Sequence, residues 1–464
     1  MPDMFRTVSS DTSVAARSAE SGSLLVALIA RLHFQVGLFV GPFFLVAALS
    51  GLLYALTPQI EDRLYAQHLY TESRGPTQTL ARQIDVARAY VGDGVSLAAI
   101  RPAAGEGMTT RVMYSLPGLD SSEHRAIFID PVTADIRGDL VVYGTTGVLP
   151  VRNWIGDLHR RLFMGDWGRL YSELAASWLW VAAVGGLILW NARRLQRRTI
   201  NRSSAGRPLR RWHSMLGLWL FVGLLFFSAT GLTWSKWAGG NIGVARAALG
   251  MSTPGLSTAL SGKMMEVSEH DHHGNTVEPL AGGTDGVHNI DAVLAAARSA
   301  GIDAGKIEIK PGQALERAWT VTEIDRSWPT QVDAVAIDPE TLVIVDEIEF
   351  EHFPLAAKLT RWGIDAHMGS LFGLANQLLL IATSVGVLIM VSTGYIMWWS
   401  RRAKTAFAGP QSPLQAWFQM TPAWRTGVAL AALLLGYSLP VLGISLLLFI
   451  GLDTVISVTR ARRG

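Results

Sequence analysis

Arg31-Leu32-His33-Phe34-Gln35-Val36-Gly37 opens one long apolar run, and Arg211-Trp212-His213-Ser214-Met215-Leu216-Gly217 opens a second. Each run meets a glycine at the same distance from its histidine, Gly51 in the first and Gly231 in the second. A second match follows without a gap. His159 leads through Gly165 and Gly186 to Trp190, and His367 leads through Gly373 and Gly394 to Trp398. A single histidine at the border of a membrane helix commonly does no more than reach for headgroups. Four in register across an internal duplication point instead to paired axial ligands.

Composition places this duplication in a bilayer. Of 464 residues, 49% are hydrophobic and 17% charged. Runs of about 20 apolar residues span a hydrocarbon core of about 30 Å. Such runs lie near 34–56, 172–191, 214–235 and 377–399. A further stretch, 426–457, carries Pro440 in its middle and reads either as one kinked span or as a hairpin. The expected fold class is a membrane protein, mainly an α-helical bundle built by internal duplication, with two small α+β modules inserted between spans.

Orientation follows from loop charge. Residues 191–211 (NARRLQRRTINRSSAGRPLRR) hold eight arginines and no acid, and Arg401, Arg402 and Lys404 follow the fourth span. Short basic loops stay cytoplasmic. The N-terminus is then inside, and the long loops 58–158 and 236–366 are outside. The net charge of +3 comes largely from these anchors. No basic, aromatic-interleaved soluble surface accompanies them, so nucleic acid is not an expected partner.

In order, the chain reads as a tail 1–22, a retained first span 23–57 and an external module 58–150. An interfacial segment with the second span, 151–191, and a basic loop, 192–211, come next. The third span 212–235, a second module 236–355, and an interfacial segment with the fourth span, 356–399, repeat the unit. A linker 400–425 and the C-terminal segment 426–457 close it. Each module begins with a helical pattern, at 81–90 (ARQIDVARAY) and Ile290–Ser299 (IDAVLAAARS). Alternating runs at Thr110–Ser115, 124–130, Ile307–Lys310, 318–323 and 332–338 predict strands. Both modules carry Asp-Pro-x-Thr, at Asp130 and at Asp338, which is turn chemistry.

The modules resemble the PepSY domain. Their placement between histidine-bearing spans resembles the PepSY-associated transmembrane family of bacterial inner-membrane proteins. The resemblance is carried by 31–37, 158–168 (LHRRLFMGDWG), 212–217, 327–333 (SWPTQVD), 337–341 (IDPET) and 362–373 (WGIDAHMGSLFG), and covers roughly 25–405. It implies a ferrisiderophore reductase with b-type haem on histidines, two haems per chain, and His33, His159, His213 and His367 as iron ligands.

Pseudo-two-fold symmetry then pairs His33 with His213 near the cytoplasmic face, and His159 with His367 near the periplasmic face. Gly37 and Gly217, one turn past the inner ligands, would let a porphyrin lie flat; glycine otherwise costs about 1 kcal/mol in a helix interior. Arg160, Arg161, Arg169, Arg361 and Lys358 are candidate propionate partners at the outer site, with Arg31 and Arg211 at the inner one. The same cations also read as interfacial anchors.

What is missing narrows the chemistry. The chain has no cysteine, which excludes disulfides, iron–sulfur clusters, thiolate zinc sites and covalent c-type haem. No Gly-x-Gly-x-x-Gly follows a strand, and no cytoplasmic segment is long enough for a flavin or nicotinamide domain. Electrons are therefore expected from membrane quinol or a separate cytoplasmic reductase. No Walker motif is present, which disfavours ATP-driven transport. The run 269–275 (EHDHHGN) reads as a solvated loop with metal binding as its alternative, and aromatic belts account for most of the 16 tryptophans.

The expected function is a di-haem b oxidoreductase passing electrons to a periplasmic acceptor, a ferric siderophore by the resemblance. Two rivals stand beside it. One is a siderophore or metal transporter, since internal repeats are common there. The other is a non-catalytic sensor or inhibitor built on the external modules.

Overall fold

The structure is a computed structural model that describes residues 4–92, 94–120, 122–144, 147–199, 208–260, 287–312, 314, 316–400 and 413–461. The run 269–275 and residues 401–412 of the linker 400–425 lie outside the described residues. Two compact units emerge. One is Met1–Leu52 with Asp157–Ala248 and Leu379–Gly464; the other is Leu53–Gly156 with Leu249–Leu378.

Up to the first strand the chain forms α1 (Met4–Phe39), α2 (Gly41–Ala55), α3 (Thr57–Leu64), α4 (Ala66–Leu69) and α5 (Leu80–Val91). Between the sheet's two halves come α6 (Pro150–Arg161), α7 (Gly165–Thr199), α8 (Pro208–Thr233), α9 (Trp237–Ala248) and α10 (Ile290–Ser299). The remainder holds α11 (Leu355–Met368), α12 (Gly373–Trp399), α13 (Pro413–Gln419), α14 (Pro422–Ser438) and α15 (Pro440–Ala461). Five stretches, Gly22–Phe39, Gly165–Leu195, Pro208–Thr233, Gly373–Trp399 and Pro440–Thr459, are helical, long and apolar enough to cross a membrane. Helices α2 and α3 form a pair of the same character, bent by 47°.

In the helical unit the first apolar run is not one straight span. It breaks between α1 and α2 at Val40, because Pro42 has no N–H to offer the Leu38 carbonyl. That carbonyl is satisfied from another helix: Tyr395 Oη on α12 donates to it at 2.8 Å. Gly41 makes the approach possible, since a Cβ there would lie 2.9 Å from Tyr395 Oη. The corresponding positions of the second half are Phe221 and Val222, and α8 runs unbroken for 26 residues.

The C-terminal stretch folds back on itself. A Cβ on Gly443 would stand 2.7 Å from Gly436 Cα, whereas residues seven apart in one straight helix lie about 10 Å apart. Leu439 is the corner, and α14 and α15 make the hairpin. Buried polar contacts bind α15 to the rest of the unit. Arg31 Nε and Gln35 Nε2 donate to Asp453 Oδ1 at 2.7 and 3.1 Å, and Trp178 Nε1 donates to Ser445 Oγ at 2.8 Å.

The other unit is built on one eight-stranded antiparallel sheet. Its first half is β1 (Ser96–Arg101), β2 (Thr110–Ser115), β3 (Glu123–Ile129) and β4 (Ile136–Tyr143). Its second is β5 (Ile307–Lys310), β6 (Trp319–Glu323), β7 (Ala334–Ile337) and β8 (Ile344–Ile348). The order β4-β3-β2-β1-β5-β6-β7-β8 shows two meanders joined through β1 and β5, with Ile100 opposite Ile309. The two loops, expected as separate modules, therefore share a sheet. Joining them removes two edges whose N–H and C=O groups would otherwise lie unpaired.

They share a core as well. Ile84 of α5 and Val293 of α10 belong to one buried cluster with Ile100, Val112, Ile309 and Val321. Asp291 of α10 accepts from Leu80 N and Ala81 N at the start of α5, at 2.8 and 3.1 Å.

A buried ion pair crosses the seam between the meanders. Arg101 Nε on β1 donates to Glu308 Oε2 on β5 at 2.8 Å, and both side chains are buried. Breaking a buried pair costs about 3–5 kcal/mol where the remaining charge is left alone; here the half-exposed Lys310 Nζ, 3.0 Å from Glu308 Oε1, offsets part of that cost. Arg101→Met should lower the thermal midpoint of the sheet unit, and Arg101→Met with Glu308→Leu should recover most of the loss. Thermal unfolding of the purified full chain checks this; a single variant as stable as the parent would refute the role of the seam.

Candidate functional site

His33 on α1 and His213 on α8 line one cavity of about 350 Å³ within the helical unit. Helices α7 and α12 complete its walls. Each histidine is held from the facing helix in the same way. His33 Nδ1 lies 3.1 Å from the Ala182 carbonyl on α7, and His213 Nδ1 lies 3.0 Å from the Met390 carbonyl on α12. Ala182 and Met390 are separated by the interval that separates His159 from His367, so the hydrogen bond is duplicated along with the ligand. A carbonyl can only accept, which assigns the proton to Nδ1 and leaves the Nε2 lone pair available.

The repeated glycines find their reason here. A Cβ on Gly186 would lie 3.3 Å from His33 Cε1, and one on Gly394 would lie 3.7 Å from His213 Cε1. Gly37 and Gly217 line the same cavity, and nothing lies within 4 Å of where a Cβ on Gly37 would project. Phe34, Phe221, Trp190 and Trp398 supply aromatic wall. Two imidazoles with assigned tautomers, bare helix faces and an apolar lining suit a bis-histidine b-type haem, and the residues present fit that group.

The cations at this cavity differ from those expected. Arg31 is turned to Asp453, and Arg211 is exposed and outside the lining. Arg193 and Arg210 line it instead. Helix phase is the cause: a residue two before a histidine sits about 200° around the helix from it, and a residue three before comes back toward its face.

His159 ends α6 in the helical unit. Its Nδ1 lies 2.9 Å from Ser50 Oγ, whose own hydroxyl donates to the Val46 carbonyl at 2.6 Å. Ser50 therefore accepts, and His159 has the same tautomer as the inner pair. Gly51 gives it room, since a Cβ there would lie 3.4 Å from His159 Cε1. Burial, and then the neighbouring Arg160 charge, pull the imidazolium down to about 4. The ring is thus neutral at physiological pH, the form that ligates metal.

His367 ends α11 in the sheet unit. Both short helices stop at left-handed corners, and the long helices that follow begin at Gly165 (φ 54°) and Gly373 (φ 55°). A side chain is strained at such φ, which accounts for a glycine at both positions. Two residues before each histidine stands a carboxylate, a repeat not read from the sequence. Asp157 pairs with Arg161. Asp365 is fully buried, accepts from Arg361 Nε at 3.0 Å and has Arg326 Nη1 3.8 Å away.

Of the expected outer cations, Arg161 and Arg361 are thus held by acids. Lys358 Nζ donates to the Glu351 carbonyl at 2.6 Å, and Arg169 Nη2 donates to the Trp234 carbonyl at 2.8 Å. Arg160 is exposed. Arg326 was not among them. Its signal was the adjoining 327–333 stretch, which docks on the end of α11. Trp328 N donates to the Leu371 carbonyl at 2.8 Å, and its ring lies 5.7 Å from Trp362 and 5.9 Å from Phe372.

Residues 30–401 match the family described as PepSY-associated TM region. No curated protein sequence matches the chain. With most of its length in that match and several helices apolar enough for a bilayer, the chain is a multi-pass membrane protein and belongs to the PepSY-associated transmembrane family.

Proposed function

We propose that the protein is a di-haem b oxidoreductase of the bacterial inner membrane, passing electrons to a periplasmic acceptor that is most simply a ferric siderophore. The observation that carries this reading is the duplicated bond from His33 and His213 to the carbonyls of Ala182 and Met390 across one apolar cavity. Haem, when bound, supplies one-electron exchange between Fe(III) and Fe(II). Reduction of a chelated ferric ion would release it, because hard-oxygen chelators hold Fe(II) far less tightly.

His33 and His213 would hold the inner group, and the sequence repeat assigns His159 and His367 to the outer one. The Ala182 and Met390 carbonyls and Ser50 Oγ fix ring orientation and raise the basicity of the free nitrogens. Apolar and aromatic walls keep water from the inner iron. The arginine-rich run 191–211 supports a cytoplasmic side for the inner site and a periplasmic one for the sheet unit. There the two meanders serve as PepSY-like modules that receive the acceptor. Electrons enter from membrane quinol or from a separate reductase.

A reduced-minus-oxidised spectrum of the detergent-purified full chain should show two low-spin b haems per chain. A colourless protein after expression with ample haem would defeat the reading. The pairing has its own check in single variants. His33→Ala and His213→Ala should each leave one haem, with the same remaining spectrum and midpoint potential. His159→Ala and His367→Ala should each leave the other. Loss of different haems from His33→Ala and His213→Ala would overturn the assignment.

A further inference from the structure

The inner cavity is cationic on one side of its histidines. Arg210 precedes His213 on α8 by three residues, and Arg193 follows Gly186, the glycine beside His33, by seven on α7. These displacements, about 4.5 and 10 Å along the helix axes, both run toward the 200–207 connection. The lining contains no Asp or Glu among the described residues.

Trp398 lines the same cavity one turn past Gly394, and its buried indole Nε1–H has no acceptor. Buried indole N–H groups ordinarily find one. Arg193 and Arg210 thus line an apolar slot whose lining holds no carboxylate, and the buried N–H of Trp398 lies in its wall. Arginine in particular matches a carboxylate with two parallel N–H bonds.

The duplication accounts for this end in part. The interval relating His159 to His367 relates Arg193 to Arg401, which lies outside the described residues. The interval relating His213 to His33 relates Arg210 to Ala30, and Ala30 also lines the cavity. Arg210 is thus the arginine of this end without a counterpart in the other half. We propose that Arg193, Arg210 and Trp398 form a carboxylate-binding end that seats the two propionates of a b-type haem. The macrocycle is thereby held in one orientation, with its acid edge toward the α7–α8 connection. This rests on the bis-histidine haem reading and adds to it the recognition of the acid groups.

The test uses the full chain carrying His159→Ala, so that the inner pair is studied without the outer one. Apo-protein in lipid nanodiscs is titrated with ferric haem and with ferric haem dimethyl ester, followed at the Soret band and by the low-spin spectrum. Charge-assisted hydrogen bonds should favour haem over the ester by about tenfold or more. Arg193→Gln with Arg210→Gln should abolish most of that preference while the low-spin spectrum persists, and Trp398→Phe should reduce it in part. Comparing variants with the same two ligands cancels their different partitioning into lipid. No preference in the parent, or an undiminished one in the double variant, overturns the proposal. If neither ligand gives a low-spin complex with the parent, the bis-histidine reading falls and takes the proposal with it.

Discussion

An imidazole can offer a lone pair to a metal only while its other nitrogen holds the proton, and in an apolar bundle that proton needs an acceptor. Much of the helical unit is arranged around this requirement. His33, His213 and His159 each have an acceptor at Nδ1, for the first two a backbone carbonyl from a facing helix and for the third a serine hydroxyl whose own proton is already engaged. Such contacts bring ring and backbone together: a Cβ at Gly186 would be tight against His33, and Cβ atoms at Gly394 and Gly51 would touch His213 and His159 at ordinary van der Waals distance. The glycine pattern is therefore a consequence of the histidine pattern. A Cβ at Gly186 would press on the His33 ring.

The same economy governs other polar groups in this unit, where an unmet hydrogen bond has no water to turn to. Pro42 strands the Leu38 carbonyl, and Tyr395 reaches it through the space left by Gly41. Asp453 would be costly alone, yet Arg31 and Gln35 meet it. These last residues join α15, which lies beyond the family match, to the helix that carries His33. They also explain why Arg31 is not at the cavity. A guanidinium committed to a buried carboxylate on one side of α1 cannot serve a group on the other.

The duplicated histidines and glycines were legible because a repeat at constant interval needs no knowledge of packing. Helices 81–90 and 290–299 and the apolar strands were legible from local periodicity, as Ile290–Ser299 and Ile307–Lys310 show. β1, β4 and β8 were not read as strands. In β4 and β8 most side chains are partly or fully exposed, so burial imprints little alternation on them. The union of the two loops into one sheet was illegible for another reason, since the pairing of Ile100 with Ile309 is set by edge complementarity across a long separation. Pro440 left a kink and a hairpin equally open; the close approach of Gly436 and Gly443 decides between them. Arg31 and Arg211 are near the histidines in the chain, whereas helix phase turns Arg210 toward the cavity and Arg193 reaches it from α7.

The departures from the repeat are as informative as the repeat itself. His33 and His213, their carbonyl acceptors and the glycines beside them are kept in both halves. Pro42 has no counterpart at Val222, and Arg210 none at Ala30. The halves repeat in the same chain direction, so the axis that relates them runs along the helices and exchanges the two sides of the inner cavity, not its two ends. The end lined by Arg193 and Arg210 therefore differs from the other end whether or not the repeat is exact. What Arg210 adds, with Ala30 as its counterpart, is a difference between the two sides, made one turn from His213 without disturbing the histidine or its carbonyl acceptor.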